Sequence, residues 1–219
     1  MRGMWWKILG VILVLYAIIG GLLIEVPKLP ILNETIRNLY FHVTMWFSMI
    51  ILLTASVVHS IQYLASNSLE KDIRAQETAS VGLLLGVLGI ATGALWARFT
   101  WGAFWVNDPK LNGAAITVLI YLAYNILRGS LDDPKRRARI AAVYNIFAYV
   151  LLVVFLIILP RVTDSLHPGN GGNPAFSTYD LDNNMRLVFY PAIIGWALIG
   201  FWIVNLRRRI WILENKDDE

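Results

Sequence analysis

Six stretches of the chain are predominantly apolar and contain no Asp, Glu, Lys or Arg: Ile8 to Ile24, Tyr40 to Leu64, Thr78 to Ala97, Leu111 to Leu127, Ile140 to Pro160 and Leu187 to Leu206. Each falls within the about 17–25 residues that a helix needs to cross a hydrocarbon core of about 30 Å. Charged positions are confined to the five connections and the two ends. The pattern predicts an all-α fold, a polytopic six-transmembrane-helix bundle over 1–219, with no room for a separate soluble domain. The first run begins after Arg2 and Lys7, as the apolar core of a signal peptide would. It is too long for one, and no small-residue cleavage pattern precedes Glu25-Val26-Pro27, so it reads as a retained helix.

Composition agrees with this reading. Hydrophobic residues make up 57% of the 219 and charged residues 16%, and the mean hydropathy is +0.57. These values lie outside the usual range of soluble domains. The basic residues fall unevenly. The N-terminus, the second loop (Lys71, Arg74), the fourth loop (Arg128, Lys135, Arg136, Arg137, Arg139) and the tail (Arg207, Arg208, Arg209, Lys216) hold thirteen of the 19. Lys and Arg accumulate in short cytoplasmic loops, so both termini are expected in the cytoplasm. The aromatic loop 98–112 and the connection 161–186 are then outside. The net charge of +4 restates this juxtamembrane bias and gives no support for nucleic-acid binding.

The same topology sorts the three histidines. His42 lies near the outer end of the second run and His167 in the last outer loop. His59 follows His42 by seventeen residues, roughly 25 Å along one helix at about 1.5 Å per residue. Only His42 and His167 can share a site, and His59 is expected to be structural. Between them in sequence lies TWGAFWVNDPKLNG, Thr100 to Gly113. Read as a short interfacial helix from Phe99 to Asp108, it sets Trp101, Phe104, Trp105 and Asp108 at i, i+3, i+4, i+7 on one face, with Asn107 elsewhere.

Such a shelf suits a planar apolar cofactor, and two imidazoles from different segments suit the axial positions of haem iron. Each part has a plainer reading when taken singly. Tryptophans anchor helices at membrane interfaces, an interfacial histidine can simply be hydrogen-bonded, and Asp108-Pro109 can be a turn or a cap for the fourth helix. There is no cysteine, so any ligand is held without thioether attachment. The pairs Gly82 with Gly86 and Gly89 with Gly93 predict that the third helix packs closely on a neighbour, from this chain or another.

The stretch TGALWARFTWGAFWVNDPKL resembles the tryptophan-rich WWD signature of the haem-handling membrane proteins of cytochrome c biogenesis. It is most similar to the six-helix C component of the cytochrome c maturation system (CcmC). The similarity extends along most of the chain. The family's first outer histidine context is matched by His42, Val43, Trp46, Ser48 and Met49, and its second by Leu166-His167. The WWD core is matched by Trp101, Gly102, Trp105 and Asp108, and an acidic-basic fourth loop by Asp132, Asp133, Arg136 and Arg137. One position departs, since the tryptophan before the aspartate is Asn107.

The resemblance implies a haem-handling protein, not an enzyme, in the bacterial inner membrane, with its site facing the periplasm. His42 and His167 would be axial ligands of a non-covalently held haem b. Trp101, Gly102, Phe104, Trp105 and Asp108, with Trp96 and Trp46, would form the rest of the site. The implied partners are the membrane-anchored haem chaperone (the E component), a small single-helix D component, the ABC transporter A and B components, and membrane lipid. The Gly-Asn-rich run Gly169 to Asn173 would supply mobility beside His167.

Two other readings stay open. A membrane b-type cytochrome or quinone oxidoreductase holding two haems would need four histidines, so only a single-haem form survives. A transporter permease subunit is the other, although ion coupling is disfavoured by spans that contain no Asp, Glu, Lys or Arg.

Overall fold

A computed structural model of the chain describes residues 3–168, 175–176 and 180–215. The described residues form six helices long and apolar enough to cross a membrane. They are α1 (Trp5–Leu23), α2 (His42–Ser66), α3 (Leu69–Trp101), α4 (Pro109–Gly129), α5 (Pro134–Leu152) and α6 (Asn183–Glu214). A 3-10 segment, Asn33–Tyr40, leads into α2.

The chain marks half of these helix starts chemically. Asp108, Asp133 and Asp182 each occupy an N-cap and accept backbone N–H groups of the first turn. A proline follows Asp108 and Asp133 at the first helical position, where its missing N–H costs nothing. At the far end of α5, Pro160 cannot donate to the helix ladder. The backbone there widens to π geometry over Val153–Ile158 before a last turn, Leu159–Val162.

Several helices overshoot the apolar runs that signal them. The 33 residues of α3 amount to about 50 Å at 1.5 Å per residue, well beyond the hydrocarbon thickness. The extra turns carry charges that the sequence pattern assigns to loops. Asp72 and Glu77 on α3, and Arg128 on α4, are buried. Arg128 grips Asp72 with both terminal nitrogens, one at 2.7 Å, and Arg207 of α6 pairs with Glu77. These pairs lie at one end of the bundle.

The closest helix pair is α2 against α3, and glycine makes it possible. A β-carbon built on Gly82 would come within 2.8 Å of Leu53, and one on Gly86 within 2.7 Å of Met49. One on Gly89 would reach Trp46 at 2.8 Å, and one on Gly93 would reach His42 at 2.4 Å. The four glycines therefore form a track on which successive turns of α2 lie antiparallel. The close neighbour expected for α3 is α2 of the same chain.

Two apolar clusters fill the interior. One, around Leu52, Leu53, Val81, Tyr121 and Leu152, joins α2 to α6. The other, around Ile36, Tyr40, Leu181, Met185 and Phe189, ties the 3-10 segment and α1 to the start of α6. This second cluster fixes the approach of the chain to His42.

Candidate functional site

His42 is the first residue of α2. Its ring lies against the α3 backbone at Gly93, where any side chain would collide with it. Its Nδ1 is 2.9 Å from the Gly89 carbonyl and 3.4 Å from Thr92 Oγ1. A carbonyl can only accept, so Nδ1 carries the proton and Nε2 keeps its lone pair. Trp46 and Trp96 meet the imidazole edge-on, with ring centroids 6.3 and 5.9 Å away. Trp96 is itself held by Thr35, whose Oγ1 accepts from the indole N–H at 3.0 Å.

His167 reaches the same end of the bundle from the connection after α5. Its Nδ1 donates to Asp108 Oδ1 at 3.0 Å, which again leaves Nε2 as the acceptor nitrogen. Asp108 is buried and is the hub of this half of the site. Oδ1 also accepts from the Lys110 and Leu111 amides at the start of α4. Oδ2 accepts from Ser165 Oγ at 2.8 Å and the Leu166 amide at 2.7 Å. Burial alone would raise the Asp108 pKa, but the bonds from His167, Leu166 and Ser165 hold it well below the usual carboxylate range. For His167 burial prevails over the carboxylate and lowers the pKa. The result is an ionised Asp108 orienting a neutral imidazole.

Both histidines line one cavity of about 350 Å3, and Trp46, Trp96 and Trp105 are also on its wall. The volume lies within the range of roughly 300–1,000 Å3 usual for small-molecule and cofactor sites. Lys110 and Arg161 are the cationic side chains on the wall, and Lys110 Nζ donates to the Pro168 carbonyl at 3.1 Å. Among the described residues, no hydrogen bond reaches Nε2 of either histidine.

The remaining expected residues are placed differently from the sequence reading. No interfacial helix spans Phe99 to Asp108. Instead α3 runs on through Trp101 and stops at Gly102, whose φ of 82° is the left-handed conformation that a glycine tolerates. The segment from 102 to 108 is irregular, so Trp101, Phe104, Trp105 and Asp108 do not share a helical face. Trp101 braces the His167 ring edge-on at 4.8 Å. Phe104 is exposed and, like Trp101, Gly102 and Asp108, is not on the cavity wall. Asp108 is both the α4 cap and the His167 partner. Asn107 Oδ1 accepts from Asn112, whose own oxygen accepts the Trp105 indole N–H at 3.3 Å, so asparagine here supports Trp105 through a polar chain.

His59 sits in the other half of α2, with Nδ1 3.3 Å from Gln62 Oε1, and does not line the cavity. The Gly169 to Asn173 run lies outside the described residues, as do Arg2 and Lys216. The sequence reading missed Gly89 and Gly93 as the seat of His42, although their spacing signalled close packing. It also missed Ser165, Lys110 and Arg161, for which no motif gave a signal.

The sequence pattern of the family described as heme exporter protein C matches residues 2–219. The heme exporter protein C of Bradyrhizobium diazoefficiens is 32% identical over 123 residues, which are 56% of this chain and 46% of that protein. The Rhodobacter capsulatus protein of the same description is 25% identical over 177 residues, 80% of this chain and 70% of that protein. A cytochrome c biogenesis protein CcsA of Prochlorococcus marinus is 36% identical over 103 residues, 47% of this chain and 32% of that protein. The matched stretch thus spans less than half of the length of the first and third of these relatives.

Proposed function

The chain belongs to the heme exporter protein C family, and from that premise we propose that it holds haem between His42 and His167 and hands it on for cytochrome c maturation. The observation that carries this reading is the pair of imidazoles on one cavity wall. Each is fixed through Nδ1 by an acceptor, a backbone carbonyl or a carboxylate, and each keeps Nε2 for a metal. Metal-ligating histidines characteristically have such a partner on the second nitrogen. No group of three or more His, Asp and Glu side chains converges as a metal-ion site among the described residues. Two imidazoles alone suit an iron that already carries four ligands of its own, which is the situation in haem.

The chain's residues then divide the work. His42 and His167 would hold the haem iron through Nε2. Trp46, Trp96 and Trp105 would offer apolar walls to the macrocycle, and Lys110 and Arg161 would meet its carboxylates. Asp108, with Ser165 and Trp101 around His167, sets the ring's tautomer and angle without touching haem. The ligands differ in how they are mounted, since His42 begins a helix locked onto α3 whereas His167 lies on a connection. Connections move more readily than the helices they join, so release proceeds from the His167 side.

The site faces the periplasm, both termini are cytoplasmic, and the acceptor is the membrane-anchored E component. The ABC transporter A and B components and the single-helix D component complete the assembly, and this chain acts as a non-catalytic carrier. The test is an absorption spectrum of the protein purified in detergent, which should show a six-coordinate, low-spin haem that is lost on treatment with acid and organic solvent. A folded protein that binds no added haem would overturn the proposal.

A further inference from the structure

At the end of the bundle opposite the histidines, a second cavity of about 220 Å3 opens between α3, α4, α5 and α6. It is lined by Gln76, Asn125, Arg128, Gly129, Arg137 and Trp211. Its side chains are rich in donors. The Arg128 charge is already matched by Asp72, but Arg137 forms no ion pair among the described residues. The Asn125 oxygen accepts from Ser80 at 3.4 Å, which leaves its amide N–H groups for the cavity, along with the Gln76 amide and the Trp211 indole N–H. No Asp or Glu lines the space. A cluster with one unmatched guanidinium, several N–H donors and no carboxylate suits an anion with several acceptor oxygens, and guanidinium recognises phosphate especially well.

The position narrows the source. The cavity lies where the apolar runs give way to charged residues and is bordered by a tryptophan, a residue suited to the headgroup level. Basic pockets between transmembrane helices on the cytoplasmic side are known headgroup sites. We propose that this cavity binds the phosphate of an anionic phospholipid, independently of the haem site.

The test uses the full chain in a neutral detergent. Phosphatidylglycerol is titrated in and bound lipid is read by native mass spectrometry, with parallel titrations of inorganic phosphate and of phosphatidylcholine. The expected result is saturable binding of one phosphatidylglycerol in preference to phosphatidylcholine. Arg137→Gln should weaken it about fivefold, the worth of one cation at an anionic surface, whereas Arg136→Gln, an equal charge change at an exposed neighbour, should leave it unchanged. Trp211→Phe, which keeps the ring and removes the N–H, gives a second reading if Arg137→Gln fails to fold. Three results would overturn the proposal: equal loss in the Arg136 and Arg137 variants, no preference over phosphatidylcholine, or saturation by inorganic phosphate as tight as by lipid. The last would assign the cavity to a free anion.

Discussion

The two ends of the bundle handle polar groups in opposite ways. At one end, the buried acids Asp72 and Glu77 are each paired within the chain, and the half-buried Arg137 beside them is a guanidinium left without an ion pair among the described residues. Arg128 spends both terminal nitrogens on Asp72, Arg207 pairs with Glu77, and Asn145 donates to Ser56 and Ser60. At the other end, each imidazole is satisfied at Nδ1 and left open at Nε2. Closed pairs fix helices relative to one another, while orientated but incomplete groups await a ligand. Buried polarity therefore marks a candidate site here only where one valence per group is left over.

The largest expected effect lies at the closed end. Asp72→Ala leaves Arg128 buried and unpaired, which should lower stability by about 3–5 kcal/mol. Replacing both partners with apolar residues should cost far less. Thermal unfolding checks this, and the surviving folded protein should keep its haem spectrum. If Asp72→Ala removes haem from folded protein, the two ends are coupled and the contrast fails.

Asp108→Asn should act at the open end with little loss of fold, because asparagine is also a good cap. Haem affinity should fall about ten- to a hundredfold, the usual effect of losing an orienting partner. The reduction potential of the bound iron should become more positive, since a neutral amide makes His167 a weaker donor. An unchanged potential would mean that the carboxylate serves only as the α4 cap. The same carboxylate gives a pH dependence of the haem-free protein. Its folded pKa is depressed, so its contribution to stability is fully present above the ordinary carboxylate value of about 4 and is lost as pH falls toward the folded value. His167, also depressed, has the same sign: stability should fall below about pH 6.5, as the unfolded chain takes up a proton that the folded one refuses. Melting temperatures at pH 8, 6, 4 and 2.5 test this, and Asp108→Asn should flatten the step below pH 4.

Gly93→Ala is smaller in chemistry but local in effect. The added methyl would lie 2.4 Å from His42 Cε1, an overpacking worth roughly 1–3 kcal/mol. The imidazole should leave the Gly89 carbonyl, giving a weakened, mixed-spin spectrum although His42 is still present. The smallest effect belongs to His59→Gln, which touches neither cavity wall nor ligand. Its haem spectrum should match the parent, and a lost Soret band in folded protein would revive the b-type cytochrome reading.

The spans were legible because a run of about 20 uncharged residues has few other uses. That His42 and His167 line one cavity was legible because the alternation of spans puts them at one end. The interfacial helix failed for a local reason. The spacing of Trp101, Phe104, Trp105 and Asp108 fits a helical face, but Gly102 between them takes a left-handed φ and ends α3. Periodicity cannot register that break. The Arg128–Asp72 pair was invisible because the partners are 56 residues apart and each looked like a loop charge. Gly93 showed its packing role in its spacing but not that its neighbour would be an iron-ligand candidate, because that depends on the antiparallel register of α2 on α3.

The most direct measurement is the low-spin spectrum of haem-loaded protein, compared among the parent, His42→Ala and His167→Ala, with and without added imidazole. If the two Nε2 atoms bind one iron, each variant should lose its six-coordinate, low-spin form, and imidazole should restore it by filling the missing axial position. Trp105→Ala should keep that form at lower occupancy and gain nothing from imidazole. Parent-like spectra from both histidine variants would contradict the ligand assignment and leave the cavity without an axial pair.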